Sequence, residues 1–268
     1  MENTKYQGQT ALVTGATSGI GLELAHCCAQ DGYNLIIVAR TQEDLDSTAE
    51  ELSEEYGVSV HTIAADLMDP REAFRVCEEV QQIGIRVDVL INDAGQGVYG
   101  AFTGTDIERE LDIIQLNVSS FTVLTKFFLK EMVMRDSGKV LQLASIASKS
   151  SAPYMAVYGG TKAYIYNFTE ALISELEDSK VTVTALLPGP TETDFFDKAG
   201  AQKIIPVVEN KLADPAKVAR DGYEAMQSGQ SKIISGWTNK MQSAMGNFVT
   251  DEAVVDMAKK QNELSDKA

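Results

Sequence analysis

The sequence predicts an α/β fold: a doubly wound parallel sheet of about seven strands with helices on both faces, folded as a single domain over residues 1–268. Three observations predict it. Short apolar runs alternate with amphipathic helical stretches along most of the chain. The runs are apolar throughout rather than at every second position, the pattern of strands buried on both faces. No internal repeat or low-complexity linker marks a domain boundary.

Taken in order, Thr10–Thr14 is a short apolar strand and residues 20–30 form a helix stopped at Gly32. Leu35-Ile36-Ile37-Val38 makes Asn34–Ala39 a buried strand. Gln42–Tyr56 is a charged amphipathic helix ended by Gly57, and 58–64 is the third strand. Pro70 suits a first helical turn, so a helix is expected over 70–83. Residues 87–92 give the fourth strand, 106–135 one long helix, and 139–144 the fifth strand. A helix over 157–178, a strand over 181–187, a helix over 215–228 capped by Asp214 and a strand over 232–235 complete the pattern. Residues 189–212 read as a substrate lid. Residues 237–268 read as a polar helical tail with a frayed end.

Composition narrows the function. Lys+Arg number 23 and Asp+Glu 39, a net charge of −16 with histidine neutral. Such a surface repels phosphate backbones and anionic lipid, so neither nucleic acid nor membrane is an expected partner. Cys27, Cys28 and Cys77 are odd in number and form no C-x-x-C pair, and His26 and His61 are the only histidines. No disulfide framework or metal site is expected. No apolar run approaches the ~20 residues of a membrane span. The start Met1-Glu2-Asn3-Thr4 lacks a signal-peptide pattern, so the cytoplasm is the expected location.

The first strand runs into Thr14-Gly15-Ala16-Thr17-Ser18-Gly19-Ile20-Gly21, a glycine-rich turn opening a helix. Gly15 permits the tight turn, Gly19 lets backbone amides approach a pyrophosphate, and Gly21 allows close helix–strand packing. The helix N-terminus adds partial positive charge. An acid that holds a ribose 2′-hydroxyl is expected about 20 residues on. The second strand instead ends Val38-Ala39-Arg40. An arginine there pairs with a 2′-phosphate, which favours NADP(H) over NAD.

In Tyr158-Gly159-Gly160-Thr161-Lys162 the tyrosine and lysine share one helix face. An ammonium about 5 Å from the phenol, at an effective dielectric of about 20, favours phenolate by roughly 3 kcal/mol, about two pKa units. That brings the tyrosine toward the range of a general acid. Two glycines in a helical turn cost about 1 kcal/mol each, which suggests a close approach there, by cofactor or substrate. Ser145 follows the fifth strand, on the carboxyl edge where open α/β sheets bind ligands. A serine there is able to hydrogen-bond a carbonyl oxygen beside the tyrosine.

With these residues in place the chain resembles the classical short-chain dehydrogenase/reductase family, built on a single Rossmann-type domain. The turn Thr14–Gly21, Asn92-Asp93-Ala94-Gly95, Asn117, Ser145, Tyr158, Lys162 and Pro188-Gly189 stand in family order, and the likeness spans residues 6–235. The resemblance implies that Tyr158 is the general acid/base and that Ser145 polarises the substrate carbonyl. It implies that Lys162 holds the nicotinamide ribose and that Asn117 fixes a water in a proton relay. It places Gly15, Thr17, Ser18, Gly19, Ile20, Gly21, Arg40, Asp66, Leu67, Asn92, Ala94, Gly95, Pro188 and Gly189 along the cofactor. Asp66 stands at the adenine ring. Thr193, or Thr191 in its stead, stands at the carboxamide. Asp93 departs from the family, which usually has asparagine here. It loses an amide donor and adds a charge near the sheet edge.

The expected activity is reversible reduction of a ketone or aldehyde to an alcohol. Two alternatives are a non-catalytic NADP-binding regulator on the same fold and an epimerase or dehydratase sharing Y-x-x-x-K. The intact Asn117, Ser145, Tyr158 and Lys162 set opposes the first. The glycine spacing opposes the second. Tyr99, Tyr154 and Phe195 fall in segments bordering the opening, and few charges join them, so an apolar carbonyl substrate is expected. Phe121, Leu124, Phe127 and Phe128, with Tyr164, Phe168, Leu172 and Leu176, exceed one sheet-facing stripe. A homodimer or homotetramer is expected from them.

Overall fold

The computed structural model describes residues 5–209 and 212–236, together with 255, 256, 259, 260 and 262. Among these, β1 (Thr10–Thr14), β2 (Asn34–Ala39), β3 (Val60–Ala64), β4 (Val89–Asn92), β5 (Lys139–Leu143), β6 (Thr182–Leu187) and β7 (Lys232–Ile234) form one parallel sheet. Its order is β3-β2-β1-β4-β5-β6-β7. Each parallel step needs a crossover, and the crossovers place helices on both faces. The order reverses between β1 and β4, so a crevice opens at their carboxyl ends, where ligands bind in such sheets.

The apolar strands serve two cores. Val13, Ile37, Ile91 and Leu141 pack with Leu24 and Cys28 of α1 (Gly19–Gln30), Leu45 and Leu52 of α2 (Gln42–Tyr56), and Val218 and Met226 of α9 (Pro215–Gln227). Leu12, Ile36, Leu90 and Val140 face the other way, onto Val76 and Val80 of α3 (Glu72–Ile83) and Leu124, Phe128 and Met132 of α5 (Phe121–Met134). Alternate residues of one strand thus fill opposite cores, the period-2 geometry that makes such strands uniformly apolar.

Several boundaries differ from the sequence reading; the fourth strand starts only at Val89 and the helix expected over 157–178 ends at Glu175. Pro70 does not open α3: the Asp69 carboxylate accepts the Arg71 amide at 2.8 Å and forms a turn, and the helix begins at Glu72. The stretch expected as one helix over 106–135 is α4 (Ile107–Ile114), a π-helical segment Gln115–Ser120, and α5. The third strand starts at Val60, the first residue paired with β2. The lid segment holds two short helices, α7 (Phe195–Ala199) and α8 (Ile205–Val208). The expected tail at 237–268 lies outside the described residues except at five positions.

Candidate active site

The glycine turn is a cradle with no room for side chains. Gly15 has φ +72° and Gly19 φ +56°, conformations that favour glycine. A Cβ on Gly19 would lie 2.8 Å from the Thr193 methyl. A Cβ on Gly21 would strike the Gly15 carbonyl oxygen and come within 2.5 Å of Asp93 Oδ2. Ser18 caps α1 in extended conformation, and its hydroxyl is not bonded to the helix. Thr17, Ser18 and Ile20 are all half-buried. These features suit a phosphate-bearing ligand lying on the backbone at the head of α1.

Around the cradle, Arg40 is exposed at the end of β2, and no described ion pair engages it. Asp66 is exposed beyond β3 and accepts the Met68 amide at 3.1 Å. Leu67 is buried, its carbonyl bonded to the Ser120 hydroxyl. The Ala94 amide donates to Thr14 Oγ1. The Asn92 side chain turns away from the crevice and donates to Thr125 and Gln142, both at 3.0 Å. Asn92 therefore has only its main chain to offer a cofactor. Pro188 fixes the Ser145 loop by accepting the Ile146 amide. Thr191 is buried with its hydroxyl turned back on Gly189. Thr193 packs on Gly19, so it is Thr193 that faces the cradle.

Ser145, Tyr158 and Lys162 come together on α6 (Ala156–Glu175) and just past the end of β5. Ser145 is buried, and its Oγ accepts the Ala147 amide at 3.1 Å at the head of a short 3-10 turn beside Tyr158. Lys162 is only 4 % exposed and donates from Nζ to the Leu143 carbonyl at 2.7 Å. Its ammonium lies 5.9 Å from the centre of the Tyr158 ring. Burial pushes the phenol up to about 12, with Ser145 pulling it down and Asp93 pushing it up. The expected downward shift from Lys162 is absent. Desolvation dominates the phenol instead. Burial also lowers Lys162 to about 8.

Asn117 sits in the π-helical segment, a local unwinding often found at functional positions. Its Oδ1 accepts the Gln96 amide at 3.1 Å. Its Nδ2 donates to the Gln96 carbonyl and to Thr161 Oγ1, each at 2.9 Å. Gly95 leaves the gap between Asn117 and Lys162: a Cβ there would lie 3.2 Å from Lys162 Nζ and 3.3 Å from Asn117 Oδ1. The first of the two helical glycines has another explanation than a ligand. Gly159 makes way for the Ala152 methyl, 2.7 Å from where its Cβ would stand, and Gly160 faces open space.

The mouth is aromatic. The Phe195 ring covers the Tyr158 ring, and its Cζ lies 3.0 Å from a Cβ placed on Gly97. Phe196 and Ile204 are buried and anchor the lid segment. Tyr99 and Tyr154 stand 5.9 Å apart. Tyr154 takes a left-handed φ of 63°, unusual for a tyrosine. The Tyr99 hydroxyl donates to the Asn262 carbonyl at 2.6 Å, and the Asn262 amide donates to the Pro153 carbonyl at 2.9 Å. Gly97, Met155 and Asn262 at this rim, and the Thr125–Gln142 pair behind Asn92, carry no motif in the sequence.

Sheet order, glycine cradle and a Ser–Tyr–Lys group at the carboxyl edge, its Ser145 and Lys162 buried and its Tyr158 half-buried, define the class as an α/β oxidoreductase. The chain belongs to the short chain dehydrogenase family, whose model matches residues 9–204. It is 37% identical over 183 residues to the uncharacterized oxidoreductase YvrD of Bacillus subtilis, a match spanning 68% of each chain. It is also 37% identical over 181 residues to a very-long-chain 3-oxoacyl-CoA reductase of Pyrenophora tritici-repentis, covering 66% of this chain and 53% of that protein. The chain thus spans only about half the length of that relative. Among solved structures, a short-chain dehydrogenase from Sphingobium yanoikuyae in complex with NADPH superposes with a TM-score of 0.80 at 27% identity, over 97% of this chain and all of that one. A 7beta-hydroxysteroid dehydrogenase superposes with a TM-score of 0.84 at 26% identity, over the same shares. No helix among the described residues is long and apolar enough to cross a membrane.

Proposed function

We propose that this oxidoreductase is an NADP(H)-dependent carbonyl reductase that reversibly converts an apolar ketone or aldehyde to an alcohol. The observation that carries the proposal is the convergence of Ser145, Tyr158 and buried Lys162 at the carboxyl edge of the sheet: Ser145 bears on the Tyr158 phenol, and the Lys162 ammonium lies 5.9 Å from the phenol ring. The cradle fits a dinucleotide, since a side chain at Gly19 would crowd it against Thr193 and Gly21 lets the turn pack closely on Gly15 and Asp93 beneath. Arg40, exposed and free of ion pairs among the described residues, supports recognition of a 2′-phosphate. The NADPH complex of the Sphingobium protein agrees with that choice.

When bound, the nicotinamide supplies or accepts hydride at the substrate carbon. Ser145 and Tyr158 together hold the carbonyl oxygen, and Tyr158 gives it the proton. A phenol pushed up to about 12 is protonated at neutral pH, which suits the reducing direction. Ser145 then donates to the phenolate, and Lys162 at the next turn offsets its charge. Lys162 also holds the nicotinamide ribose. The Asn117 amide nitrogen is committed to Gln96 and Thr161, while its Oδ1 accepts one bond from Gln96 and faces the gap that Gly95 leaves beside Lys162, where it would fix a water in a proton relay. Phe195, Tyr99 and Tyr154 wall the substrate.

The chain works as a homodimer or homotetramer in this reading. The support has moved in part from the residues first singled out, because Leu124 and Phe128 are buried in the core. Of the residues first singled out Tyr164 of α6 remains exposed, and it is joined by Ile107, Leu111 and Ile114 of α4, which are exposed too. Residues at i, i+4 and i+7 form one apolar stripe. The direct test follows NADPH absorbance with a panel of carbonyl compounds. A reductase consumes NADPH with hydrophobic ketones; a regulator binds it and turns over none.

A further inference from the structure

Asp93 stands where the family's asparagine would, and its setting gives it a task. Its backbone amide donates to Thr14 Oγ1 at 3.1 Å. Its carboxyl lies directly under the glycine turn: Oδ2 is 2.9 Å from a Cβ placed on Gly15 and 2.5 Å from one placed on Gly21. Oδ1 is buried with no hydrogen-bond partner among the described residues. A carboxylate oxygen left dry and unpaired is costly, and a protonated carboxyl regains the donor that an asparagine would supply. The titratable groups that face it are Lys162 and Tyr158, both from α6, and α1 contributes the Gly21 amide. Burial pushes the acid up to about 7, against the opposing pull of Lys162 and the Gly21 amide.

A pyrophosphate on the turn adds negative charge on the far side of the same two glycines. Repulsion at that range disfavours an ionised Asp93, whose Oδ1 is buried. We propose that Asp93 is a cofactor-site residue that works as a neutral acid, and that dinucleotide binding draws one proton from solvent onto its carboxylate. Asp93 here is a positioning residue: protonated, it braces the turn as an amide would, and it takes no part in proton transfer to substrate. The inference rests on the cofactor reading above only in requiring that a dinucleotide occupies the cradle.

The test is calorimetric titration of the whole chain with NADPH, and separately with NADH, at about pH 8. Each titration is run in two buffers of different protonation enthalpy. Wild type takes up more protons on binding than Asp93→Asn, by up to one proton per site, with either cofactor. The infrared difference spectrum of wild type gains a protonated-carboxyl C=O band on binding that Asp93→Asn lacks. Wild-type affinity falls by up to about tenfold per pH unit above the free carboxyl's value, the linkage of a group protonated only in the complex. Equal proton uptake by both proteins, or no carboxyl band in wild type, overturns the inference; the wild-type spectrum decides even where the variant folds poorly. Proton uptake with NADH and no binding of NADPH overturns the cofactor preference and leaves Asp93 its role. Failure of both cofactors to bind overturns both.

Discussion

The Phe195 ring lies 5.0 Å from the Tyr158 ring, tilted by 50°. The side chain that opens α7 thus covers the phenol, while its neighbour Phe196 is buried as an anchor. Phe195→Ala removes the cover and keeps the anchor. KM for bulky hydrophobic ketones is expected to rise roughly 10- to 100-fold, and for small ones much less, since a lost aromatic contact is worth a few kcal/mol at most. Steady-state kinetics on a size series of ketones measures this. Equal changes across the series would show that Phe195 only anchors the loop.

Arg40 is exposed at the end of β2 and free of ion pairs among the described residues. Arg40→Asp is expected to weaken NADPH binding by about 1.5–3 kcal/mol, roughly 10- to 150-fold, and to move preference toward NADH. Fluorescence titration with both cofactors checks it. Equal wild-type affinity for the two would exclude the assignment.

The exposed stripe on α4 bears on assembly. Ile107→Glu with Leu111→Glu places two charges where a self-associating surface must exclude water. Sedimentation is expected to give a multiple of the 29.1 kDa chain mass for wild type and a single chain for the double variant. Wild type sedimenting as one chain at micromolar concentration would remove the proposed oligomer. Unchanged assembly of the variant would place the interface elsewhere.

The sheet was legible because burial on both faces leaves runs such as Leu35-Ile36-Ile37-Val38, which no solvent-facing element carries. The glycine turn and the Tyr158–Lys162 pair were legible because their spacing is local. What escaped the sequence depends on distant partners. Asn92 reads as a cofactor-lining residue, yet its amide serves Thr125 and Gln142 from two other elements. Gly159 reads as room for a ligand, yet it admits the Ala152 methyl seven positions back. The unwinding at Gln115–Ser120 left no mark in residues that all tolerate an α-helix. The Tyr158 shift reversed because spacing counts the lysine and not the burial of the phenol.

The most direct measurement is turnover by Tyr158→Phe. The substitution removes one hydroxyl and keeps the ring that packs on Phe195 and Gly97. Melting temperature and NADPH affinity are expected to stay near those of wild type, while kcat for ketone reduction falls by about 10²- to 10⁴-fold, the usual share of a general acid. Near-normal turnover in a folded, NADPH-binding Tyr158→Phe protein would contradict the account.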